Sequence, residues 1–152
     1  MNLSLKYGLP VAAVLIGSVV LVRLLIGVGP ESPAVMIGPI LYNLTAVAAI
    51  FLGTIRKKAE AGGELSFKDG VKTGLGIALV YATASSLFFV LLLLVDGPRL
   101  LLSEPGAENR PLWQTGLLAF VGLFLGSLFF GVIYSTVISF FLAKRRSQAQ
   151  DL

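Results

Sequence analysis

VKTGLGIALVYATASSLFFVLLLLV, residues 71–95, is a long apolar run with one charge, Lys72, at its edge. A helix needs roughly 20 mostly apolar residues to cross the hydrocarbon core of a bilayer. Apolar side chains occupy every face of this run rather than one stripe, as suits a helix with lipid or other helices all round. Three further runs share the character: residues 7–28, 34–53 and 113–142. A membrane-spanning barrel would instead show segments of about ten residues with alternating polarity. The reading is an all-α integral membrane bundle of four antiparallel transmembrane helices, one domain over residues 1–152. The first run is expected to persist as a helix rather than act as a signal peptide. Only Lys6 precedes it, and its apolar stretch is longer than the usual 7–15 residues.

Composition supports the same class. Of the 152 residues 56% are hydrophobic and 13% charged, whereas soluble domains carry about 25% charged residues. One soluble core of this size cannot hide so much apolar surface. Cysteine and histidine are both absent. That removes disulfides, thiolate sites, and the commonest general base and metal ligand. The carboxylates (Glu31, Glu60, Glu64, Asp69, Asp96, Glu104, Glu108 and Asp151) fall in the connections and the tail. No phosphate-cradling motif is present. The expectation is a protein that is not an enzyme and uses no cofactor or metal.

The connections are short and punctuated. Gly29, Pro30, Ser32 and Pro33 make a tight turn, since two prolines so close cannot continue a helix. Residues 54–70 are polar and contain Gly62-Gly63, after which Ser66 and Asp69 have capping-box spacing. Pro98, Pro105, Gly106 and Pro111 break the segment before the fourth run. Of the 12 basic residues, Lys6, Arg56, Lys57, Lys58, Lys68, Lys72, Lys144, Arg145 and Arg146 fall on one side of this topology, and Arg99 and Arg110 on the other. The bias predicts cytoplasmic termini. It also reads the formal charge of +4 as membrane topology, with no nucleic acid as a partner.

Two groups of residues stand out. Arg23 is the only charge in the interior of a span, and Tyr42 and Asn43 lie near the middle of the second run. Ionisable groups within a membrane often mark a pathway or a paired partner. Arg23 is also close enough to the outer end of its run, roughly 7–8 Å, to snorkel to the headgroups or to meet Glu31. Asn43 is expected to hydrogen-bond another helix or to line a small polar cavity, and Gly38-Pro39 before it to bend the second helix. The second group is small residues at spacings of three to four: Gly70 and Gly74, then Gly122 and Gly126, Ser127 and Gly131, and Ser135 and Ser139. Such spacing lets helix backbones approach closely. Whether the facing helix belongs to this chain or to another copy stays open at this level.

Residues 55–74, IRKKAEAGGELSFKDGVKTG, follow the second run and open the third. A basic start, Gly-Gly and then Ser-Phe before a helix resembles the loop of bacterial membrane proteins in the family catalogued as domain of unknown function 4199. That resemblance implies four helices and a bacterial cytoplasmic (inner) membrane, and it assigns no activity and no site residues. The expected partners are the lipid bilayer and a larger membrane complex or a second copy. The leading expectation is a non-enzymatic accessory or scaffolding subunit. The alternative is an oligomeric small-solute or ion transporter or channel component.

Overall fold

The computed structural model describes residues 2–21, 37–96 and 111–143. It contains four helices: α1 (Leu3–Leu21), α2 (Ile37–Glu60), α3 (Phe67–Asp96) and α4 (Leu112–Leu142). Each is long and apolar enough to span a membrane. No strand occurs among the described residues. Arg23, Glu31 and the basic residues Lys144, Arg145 and Arg146 lie outside the described residues.

The helices do not stop where the apolar runs stop. α1 starts four residues before residue 7, and α2 continues past Gly53 to Glu60. An apolar run marks the length matched to lipid, whereas a helix continues until its backbone is capped. α2 extends through Arg56-Lys57-Lys58, where Arg56 Nε donates to Glu60 Oε1 one turn on at 3.2 Å. It ends in a Schellman motif. Gly63 N–H donates to the Lys58 carbonyl at 2.9 Å and Gly62 N–H to the Ala59 carbonyl at 3.2 Å. Gly62 takes φ +72°, a conformation open to glycine because it has no Cβ.

Ser66 then caps α3 as its spacing predicts. Its Oγ accepts from the Asp69 N–H at 3.1 Å and donates to Asp69 Oδ2 at 2.6 Å. The shorter aspartate thus closes the box on the serine hydroxyl. The bend expected at Gly38-Pro39 falls at the edge of the described part of α2, which begins at Ile37.

Packing is built on small residues. Along α3, Gly70, Gly74 and Ala78 lie against Ser139, Ser135 and Gly131 of α4, an antiparallel seam advancing four residues at a time. A Cβ at Gly74 would run into the Ser135 side chain, and one at Gly131 into the Ala78 Cβ. On the other side of α3, Gly76 meets Ser4 and Val80 meets Gly8, so α1 and α3 run parallel with the same four-residue step. Apolar helices gain no hydrophobic driving force from leaving lipid, so close backbone approach supplies the dispersion contact that holds them. α3 therefore touches all three other helices, most extensively α4, while α2 also contacts the other three. Val11, Ala46, Ala49, Ile50, Ile77, Ala78, Tyr81 and Ala82 form the central cluster.

Candidate functional site

Three of the four tyrosines, Tyr42 on α2, Tyr81 on α3 and Tyr134 on α4, bring their hydroxyls to one level of the bundle. A tyrosine inside a span has an apolar body and a polar tip, and the tip needs a partner. Tyr42 Oη and Ser127 Oγ share a hydrogen bond of 2.9 Å. Tyr134 donates to Asn43 Oδ1 at 2.9 Å, which ties α4 to α2. Tyr81 donates to the Ser127 carbonyl over a longer 3.4 Å. Asn43 donates one of its two amide hydrogens to the Pro39 carbonyl at 2.9 Å, within its own helix. The Tyr42 and Tyr81 rings meet edge to face, their centroids 5.6 Å apart. Ser85 lies beside the Tyr42 hydroxyl with its Oγ buried.

Next to this network is a cleft of about 180 Å³ between α2 and α4. Tyr42, Asn43 and Ala46 form one wall, Tyr81 the back, and Gly126, Ser127 and Phe130 the other wall. Gly122 and Phe130 at its rim are exposed on the outside of the bundle. Its lining carries no ionised side chain. The arrangement can therefore bind and orient a neutral polar group, and it has no carboxylate or ammonium for proton transfer at neutral pH. Among the described residues no group of three or more carboxylates forms a metal-binding cluster.

The residues singled out from sequence separate into three sets. Tyr42 and Asn43 are brought together in the cleft, whereas Arg23 lies outside the described residues. Gly70, Gly74 and Gly131 form the internal seam. Gly122 and Gly126 do not pack against a helix of this chain; a Cβ at either would meet nothing within 4 Å. Both line the cleft instead. Sequence reading missed Tyr81, Tyr134 and Ser85, although the signal was present as tyrosines in the interior of apolar runs. Comparison of the chain with family models, curated proteins and solved structures finds no match.

Proposed function

We propose that the chain is a non-enzymatic accessory or scaffolding subunit of a complex in the bacterial cytoplasmic membrane, joined to its partner through the outward face of α4. The observation that carries this reading is the burial of α4. Only 6% of its most apolar stretch is buried within the chain, against 22–39% for the other three helices. α4 gives Gly131, Ser135 and Ser139 to α3 and turns Leu118, Leu125, Phe129 and Phe140 outward, each more than half exposed. These four share one helical face, a bulky ridge suited to a facing helix.

Photo-crosslinking residues at Leu118, Phe129 and Phe140, with controls at the lipid-facing Leu79 and Leu91 of α3, test the reading in native membranes. A discrete protein adduct from the α4 positions and none from the controls is expected. Lipid adducts alone at every position would sink it. The alternative, an oligomeric small-solute or ion transporter or channel component, draws on the polar cleft. Solute flux in proteoliposomes that disappears on filling the cleft would favour that alternative.

A further inference from the structure

We propose that the cleft between α2 and α4 binds the head ring of a neutral, lipid-soluble quinone that enters sideways from the bilayer. The inference goes beyond the accessory-subunit reading and does not depend on it: the docking ridge is Leu118, Leu125, Phe129 and Phe140, whereas the α4 wall of the cleft is Gly126, Ser127 and Phe130, further round the helix, and only Gly122 at the rim shares the stripe of the ridge.

Size sets the first limit. A cavity of about 150 Å³ lined by apolar side chains takes up benzene, and this cleft holds about 180 Å³. One six-membered ring fits this space, which is open on one side. Surface chemistry sets the second. Tyr42, Tyr81 and Phe130 supply aromatic walls, and Gly126, with no side chain, leaves space between them. Hydrogen-bonding capacity sets the third. The Tyr81 hydroxyl is spent on a long 3.4 Å bond. Asn43 keeps one amide hydrogen beyond the bond to Pro39. The Asn43 hydrogen is free for an acceptor and the Tyr81 hydroxyl can exchange its long bond for a shorter one; a ring carbonyl suits both. No charged group lines the cleft, so an ionised head would be buried without compensation.

Depth decides between kinds of lipid. Tyr42 precedes Arg56 by fourteen residues of continuous helix, roughly 21 Å from the basic end of α2. That lies well inside a hydrocarbon core of about 30 Å. A phospholipid headgroup anchored at the cytoplasmic surface does not reach it. A neutral ring whose tail stays in the bilayer does, because exposed Gly122 and Phe130 leave the mouth open to lipid.

The test uses the purified full chain in phosphatidylcholine nanodiscs and an azido-benzoquinone photoprobe, competed by decylubiquinone. Labelled positions are mapped by mass spectrometry. Saturable, competed labelling on α2 and α4 around residues 42–46 and 122–130 is expected. Gly126→Leu should abolish it at an unchanged melting temperature, since the new side chain points into open space. Tyr81→Phe should weaken competition about fivefold, as expected for one neutral hydrogen bond. Labelling spread evenly over all four helices, or labelling that survives Gly126→Leu in folded protein, would overturn the proposal. So would competition by an alkyl-cyclohexane as effective as that by decylubiquinone. Because no second protein is present, failure of the accessory-subunit reading leaves this result unaffected.

Discussion

Lys58 on α2 reaches the far end of α4, its Nζ donating to the Leu142 carbonyl at 2.9 Å. Sixteen residues earlier on α2, and fifteen earlier on α4, Tyr42 meets Ser127. The two contacts hold α2 and α4 parallel and in register over roughly 23 Å. Lys58 also satisfies one of the carbonyls that the end of any helix leaves unpaired, and it places positive charge at the negative end of the α4 dipole.

Replacing Lys58 by alanine should therefore loosen the C-terminal end of α4. The expected loss is about 0.5–1.5 kcal/mol. Lys57→Ala, one residue away and exposed, should cost much less. Unfolding midpoints of the two variants in detergent micelles check the difference.

The seam glycines and the cleft glycines should respond oppositely to the same substitution. Gly131→Ala drives a Cβ into Ala78, a neighbour with no flexible end to move aside. The overpacking should cost about 1–3 kcal/mol. Gly126→Ala meets open space and should leave stability within about 0.5 kcal/mol or raise it slightly, because alanine favours helix. Thermal unfolding of both variants reads the contrast directly.

The Tyr134–Asn43 bond links two parallel helices in a medium without water. Hydrogen bonds of this kind average about 0.6 kcal/mol in membranes. Tyr134→Phe and Asn43→Leu should each destabilise the bundle. In the double variant the effects should fall short of additive by about that amount, as measured by a double-mutant cycle. Strict additivity would show that the two side chains do not interact in the folded protein.

The absence of cysteine makes the topology directly testable. Single cysteines at Glu60, at the basic end of α2, and at Trp113, at the opposite end of α4, should react from opposite sides in intact cells. A membrane-impermeant maleimide is expected to label the Trp113→Cys variant from outside and to spare Glu60→Cys until the membrane is opened. The reverse pattern would invert the orientation inferred from the lysine and arginine distribution.

Much of this was legible from local chemistry. Ser66 and Asp69 stand three residues apart, so the cap on α3 is a property of that short segment, and it forms as read. The Gly62-Gly63 stop belongs to the same class. The limits of α2 were harder, because Arg56-Lys57-Lys58 ends an apolar run without ending a helix. The tyrosine network was harder still: Tyr42, Tyr81 and Tyr134 are separated by dozens of residues, and no spacing rule connects them.

Four spans follow from sequence alone because a bilayer demands only length and apolarity, and both are properties of a continuous stretch. Which glycines face inward is a different kind of fact. Gly70, Gly74, Gly122, Gly126 and Gly131 look alike in helices that are apolar all round. Only the mutual placement of α3 and α4 closes Gly74 and Gly131 against their neighbours. The same placement leaves Gly122 and Gly126 beside an open, hydroxyl-lined cleft.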